Sequence, residues 1–68
     1  MINATLKGMH HVLTTDRFGE GMTLRYLDNH TMTDLREFCR NNNIKISRTK
    51  QDTISNIYNA ASNYTEEI

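Results

Sequence analysis

The stretch Thr31–Ala61, T-M-T-D-L-R-E-F-C-R-N-N-N-I-K-I-S-R-T-K-Q-D-T-I-S-N-I-Y-N-A-A, decides how this chain is read. Thr31 followed by Asp34 fits a capping box, in which the threonine oxygen takes an orphan amide of a helix's first turn. The usual residue at the third helical position is Glu or Gln, so Asp34 is the weaker reciprocal cap. Leu35, Phe38, Cys39 and Asn42 fall at i, i+3, i+4 and i+7, and the first three make an apolar stripe. Asn41-Asn42-Asn43 ends that helix, because Asn tolerates the left-handed conformation found at helix ends. Ile44 and Ile46 alternate with Lys45, which predicts an extended connection with both isoleucines packed inward. Thr49 with Asp52 starts a second helix. Ile54, Ile57, Tyr58 and Ala61 give it one apolar face, and it frays near Asn63.

The charges in this stretch are uneven. Between residues 36 and 50, Arg36, Arg40, Lys45, Arg48 and Lys50 face a single anion, Glu37, in a chain whose formal net charge is zero. At 100° per residue Arg36 and Arg40 share one flank of the first helix, and Glu37 is expected to point away. Arg48 and Lys50 stand at the start of the second helix, where cations oppose the helix dipole. A structural role does not explain that placement, whereas binding of an anion does, since free amides and partial positive charge gather there. Ser47 and Thr49 add hydroxyl donors. The expected site is therefore a phosphate-binding surface of Arg36, Arg40, Lys45, Ser47, Arg48, Thr49 and Lys50. The alternative is an ordinary solvated charged face.

Composition sets bounds on the rest. Sixty-eight residues make one domain at most, and a chain of that size buries only about 60% of its unfolded surface. The only aromatics are two Phe and three Tyr, and there is no Pro or Trp. The core is small or completed by a partner. Eight cations balance eight anions, so a nucleic-acid role has to rest on a local patch. Cys39 has no partner for an internal disulfide, which places the chain in a reducing, intracellular compartment, cytoplasm or nucleoid or nucleus. No secretion signal and no run near ~20 apolar residues is present, so neither export nor a membrane is expected. The Asn-x-Thr triplets at Asn3, Asn29 and Asn63 then read as chance. The Met1 start suggests a complete small protein.

Residues 1–30 form an N-terminal extension of more open structure. Ile2, Leu6 and Met9 are scattered apolar positions, compatible with helix or irregular chain. Val12 to Thr15 is β-prone. Asp16-Arg17-Phe18-Gly19-Glu20-Gly21 reads as a turn or loop. Met22, Leu24 and Tyr26 alternate with Thr23 and Arg25 in a strand-like period. A short hairpin pairing 11–15 with 22–26 fits this pattern, and a helix over 23–28 fits it nearly as well. The tail 64–68 is expected to be flexible.

The segment Thr31–Ile57 resembles the SAP domain, a helix–extended loop–helix DNA-binding module. The resemblance is carried by Thr31, Asp34, Leu35-Arg36, Cys39, Ile44, Ser47-Arg48-Thr49-Lys50, Asp52, Ile54 and Ile57, in the family's order and spacing. It departs at Arg48, where the family has glycine, and at Thr53, where it has an apolar residue. LEM and Rho N-terminal modules are similar at this level, and some of those bind proteins. The resemblance implies a mainly α fold, with the module at 31–63 and contact with the DNA backbone, double-stranded more than RNA, from the first helix and the loop.

Other groups read blandly. His10-His11 are adjacent and share no face, so no metal site is expected. Cys39 on the apolar stripe reads as a buried thiol. Phe18, Met9, Met22 and Met32 read as packing. Arg17, Phe18 and Arg25 are a conceivable extension of a nucleic-acid surface. No nucleophile, base and oxyanion set assembles, so neither an enzyme nor a cofactor is expected. The function expected is a small DNA-binding protein of low sequence specificity. The alternative is a protein-interaction module, such as a small phage or viral protein acting on a host protein, with residues 10–27 as its interface.

Overall fold

The computed structural model describes residues 1–65, and threonine hydroxyls set the helix starts within it. Thr5, Thr31 and Thr49 each accept a hydrogen bond from the amide three residues on, at Gly8, Asp34 and Asp52. The helices that follow are α1 (Leu6–Thr15), α3 (Met32–Asn41) and α4 (Lys50–Ser62), and α2 (Gly19–Asp28) lies between the first two. No strand occurs among the described residues. The hairpin expected over 11–15 and 22–26 is therefore replaced by two helices.

The reason lies in residues that do not look apolar. On α2 the buried positions are Gly19, Thr23 and Leu27, at i, i+4 and i+8. That stripe is hidden from a hydrophobicity pattern, and Met22 points outward at 53% exposure. On α1 the β-prone Thr14 and Thr15 hydroxyls donate back to the carbonyls of His10 and His11, at 2.7–3.1 Å. Such bonding lets Thr sit in a helix despite its propensity. The turn between α1 and α2 is shorter than expected. Asp16 makes it, its side chain accepting from the Phe18 amide at 2.9 Å and its carbonyl from the Gly19 amide. Gly19 lies so close to the α1 backbone that a Cβ would collide with the Val12 carbonyl. Phe18, expected in the core, is 63% exposed, with the Arg17 guanidinium 4.8 Å above its ring.

All three other helices pack on α4. One core takes Met9 from α1, Leu27 from α2, Leu35, Phe38 and Cys39 from α3, and Ile54, Ile57 and Ala61 from α4. Each large aliphatic there adds roughly 1.5–3 kcal/mol by leaving water. Ile44 and Ile46 of the connection pack against this core from its edge. The segment before α1 is held by the Tyr26 hydroxyl, which accepts from the Asn3 amide at 3.2 Å. The Met1 ammonium also lies 3.1 Å from an Asp34 carboxylate oxygen. Tyr64, in the expected flexible tail, is half-buried with its ring 6.0 Å from His10. Residues 66–68 of that tail lie outside the described residues.

Two glycines two residues apart should respond in opposite senses. Gly19→Ala should cost about 1–3 kcal/mol, because backbone has to move. Gly21→Ala should add about 0.5–1 kcal/mol, since a Cβ there meets nothing within 4 Å. Urea denaturation of the two variants checks this. Acid titration checks the terminal bridge. The Met1 ammonium holds the Asp34 carboxyl below its ordinary value, chiefly by direct hydrogen bonding. A lowered folded pKa means the contribution is present above the unfolded pKa and fades as pH falls through the folded one. Asp34→Asn should therefore be less stable than wild type at pH 7, with the difference closing in strong acid.

Candidate nucleic-acid interface

Leu35, Phe38 and Cys39 turn one side of α3 into the core, which fixes what the opposite side presents. Arg36 and Arg40 are exposed there. They line a shallow depression with Thr33, Glu37 and Asn41. Glu37 thus shares the surface of the two arginines instead of pointing away from it. The expected five-to-one charge excess is diluted at this end.

The stop of α3 follows from Asn43, whose φ of 56° is the only positive value at a non-glycine residue among those described. The next amide, Ile44, bonds back to the Cys39 carbonyl at 2.8 Å. A left-handed residue followed by this 6→1 bond is the Schellman ending. Asn42 adds a side-chain bond to the Phe38 carbonyl at 2.9 Å. Arg48, at the position where the resembled family has glycine, has no positive φ. Its side chain therefore imposes no left-handed strain on the loop.

The connection 44–49 is clamped to α4 by two residues that sequence reasoning passed over. Thr53 is wholly buried. Its hydroxyl accepts from the Ser47 amide at 3.2 Å and has the Ser47 and Thr49 carbonyls at 3.1 and 2.9 Å as acceptors. Asn56 donates through Nδ2 to the Lys45 carbonyl at 3.0 Å and to the Ser47 hydroxyl at 2.9 Å. Thr53, where the resembled family has an apolar residue, thus has a structural task. The signal was present in the sequence: Thr49, Thr53 and Asn56 fall at i, i+4 and i+7 along one flank of α4.

This clamp orients the expected site residues. Lys45 and Arg48 are exposed. Ser47 and Thr49 each accept one internal bond, and each hydroxyl keeps its proton for an outside acceptor. Lys50 departs from expectation. Its ammonium donates to the Asp28 carbonyl at 2.6 Å and lies 3.8 Å from the Asp28 carboxylate. Asp28 ends α2, where carbonyls are unpaired and the dipole favours a cation. A structural role does explain the lysine at the α4 start: it caps α2. Among the described residues Arg36, Arg40, Lys45 and Arg48 have no ion-pair partner.

Of the remaining reactive groups, His11 is exposed, and His10, His30 and Cys39 are engaged or buried. His10 has Nδ1 2.8 Å from the Ala61 carbonyl, and His30 has Nδ1 2.8 Å from the Tyr26 carbonyl. A carbonyl only accepts, so both rings carry the proton on Nδ1. His30 also meets the Tyr26 ring edge-on at 4.7 Å. The Cys39 thiol is buried, and burial pushes its pKa up. Among the described residues no group of three metal-ligating side chains occurs and no helix is long and apolar enough to cross a membrane. Comparison with protein families, curated proteins and solved structures gave no match.

The clamp can be tested separately from any ligand. Thr53→Val keeps the shape and removes the hydroxyl, leaving the Ser47 amide without its acceptor. The expected loss is about 1–3 kcal/mol in urea denaturation. Asn56→Ala should cost less, because its partners lie nearer solvent.

Proposed function

We propose that this chain is a small, non-enzymatic DNA-binding module that contacts the phosphate backbone with little sequence preference, through α3 and the connection that follows. The observation that supports this most is the release of four cations from internal duty. Arg36, Arg40, Lys45 and Arg48 are exposed and have no ion-pair partner among the described residues. A cation that stabilises nothing internally is free to replace a counterion on DNA. The backbone that carries Lys45 and Arg48 is held by Thr53 and Asn56, so these two side chains start from a fixed base. Fixing that base lowers the ordering cost of a contact. The SAP resemblance of 31–57 points the same way. Lys50 leaves the set of phosphate contacts, being engaged at the α2 end. The hydroxyls of Ser47 and Thr49 stay in it as donors.

Fluorescence anisotropy with a labelled duplex of about 20 base pairs tests the reading. About four phosphate contacts predict an affinity that falls roughly 100-fold between 50 and 200 mM salt. Arg36→Glu combined with Arg40→Glu should abolish saturable binding while the far-UV circular dichroism stays that of the wild type. Lys50→Gln should lower stability and change affinity little. Absence of binding at low salt, or binding indifferent to the double charge reversal, overturns the proposal.

A further inference from the structure

We propose that the outer face of α2 is a second nucleic-acid surface, one that takes an unpaired base of a single strand. Phe18 is the starting point. It stands in water at 63% exposure although the Arg17 guanidinium already lies 4.8 Å above its ring. A Phe stabilises a fold by being buried, so the chain gains little from this one. Met22, one turn on, is 53% exposed and continues the apolar strip. A flat ring held beside a cation and open to solvent is what a nucleobase stacks on.

The charges around the ring narrow the choice of ligand. Arg17, Phe18, Glu20, Met22 and Arg25 border one shallow groove. Neither arginine has an ion-pair partner among the described residues. Glu20 is the one carboxylate on this groove. It stands in the first turn of α2, and Arg25 in the last, where the helix dipole favours each. Arg17 has no such reason for its place, since a cation just before the first turn opposes the dipole. Two arginines against one glutamate leave the groove positive by one charge. An apolar partner would have to cover all three charged groups and offset their desolvation. A nucleotide suits both halves of the groove: its base offers Phe18 a π-face, and its phosphates offer Arg17 and Arg25 an anion.

The shape favours a strand over a small molecule. The groove does not end at Arg25. Leu24 and Arg25 also line a second depression, with Asp28, Gln51 and Ser55, that leads to the start of α4. Asp28 is no free anion there, because the Lys50 ammonium lies 3.8 Å from its carboxylate. Phe18 and Arg25 stand about 10 Å apart along the helix axis, so a strand stacked on Phe18 passes Arg25 on its way out. Gly21, between them, puts no side chain in that path. Bases in a duplex are stacked inside their pairs, so Phe18 can reach only an unpaired one. This surface uses none of Arg36, Arg40, Lys45 or Arg48 and does not rest on the duplex reading.

The chain has no Trp, so Phe18→Trp puts a single indole at the stacking position. Fluorescence titration of this full-length variant with an oligothymidylate of about 12 nucleotides, at low salt, tests the proposal. Saturable quenching is expected, because a stacked base quenches an indole. An abasic strand of the same length and charge should leave the emission unchanged. Adding Arg17→Gln and Arg25→Gln should raise the dissociation constant read from the quench at least about tenfold. Adding Arg36→Glu and Arg40→Glu instead should keep the quench, which stands whether or not a duplex binds. Circular dichroism checks that each variant keeps the fold. No quench at low salt, an equal quench by the abasic strand, or a quench lost with the α3 arginines overturns the proposal. So does a sedimentation mass of two chains with an indole indifferent to the strand, which assigns the face to a second copy.

Discussion

A hydroxyl shut away from water has to find its hydrogen bonds inside the protein, and the Thr53 hydroxyl finds them in the segment that leads into its own helix. That requirement ties the rest together. α4 is the element on which the other three helices pack, and Thr53 sits in its first turns with no exposure. Because the hydroxyl takes both the amide and the carbonyl of Ser47, the connection cannot drift from α4 without orphaning buried polar groups. Ile44 and Ile46 are thereby kept against the core, and α3 is kept at a fixed distance along the chain. In a domain this small the aliphatic core alone leaves a thin margin. A polar clamp at the centre supplies specificity of arrangement as well as stability.

The charges sort into two kinds on this frame. Lys50 and Asp28 work inside the fold, where the lysine serves the negative end of α2. Arg36, Arg40, Lys45 and Arg48 do no such work. The distinction matters because a charge run in a sequence counts both kinds alike. Removing Lys50 from the count, and setting Glu37 beside the arginines, turns a strong apparent patch into a moderate one. For a chain with no net charge, that means attraction confined to about one Debye length, near 10 Å at 0.1 M salt. Long-range steering has no part in it.

How much of this was legible depended on which residues carried the pattern. The helix starts at Thr31 and Thr49, the stop at Asn43 and the stripes through Leu35–Cys39 and Ile54–Ala61 could all be read, because each rests on a local rule. So could the burial of Cys39 and the exposure of Arg36, Arg40, Lys45 and Arg48. The first thirty residues misled because the packed stripe of α2 runs through Gly19 and Thr23. Neither contributes to a hydrophobic period, whereas Met22, Leu24 and Tyr26 imitate a strand. The purpose of Lys50 was out of reach for a different reason. Its partner, Asp28, is distant in sequence and ends a helix whose residues imitate a strand.

The outward face of α2 and the basic side of α3 belong to different parts of the molecule's economy of contacts. α2 reaches the rest of the fold through α1 and α4, and Arg36, Arg40, Lys45 and Arg48 are carried by α3 and the connection, while Arg17 and Arg25, likewise without an ion-pair partner among the described residues, stand at α2. On the proposed DNA reading, four contacts screened by salt give weak binding. The exposed arginines of α3, without an ion-pair partner among the described residues, are a departure from what stability alone would select, and that reading gives them a use outside their own chain.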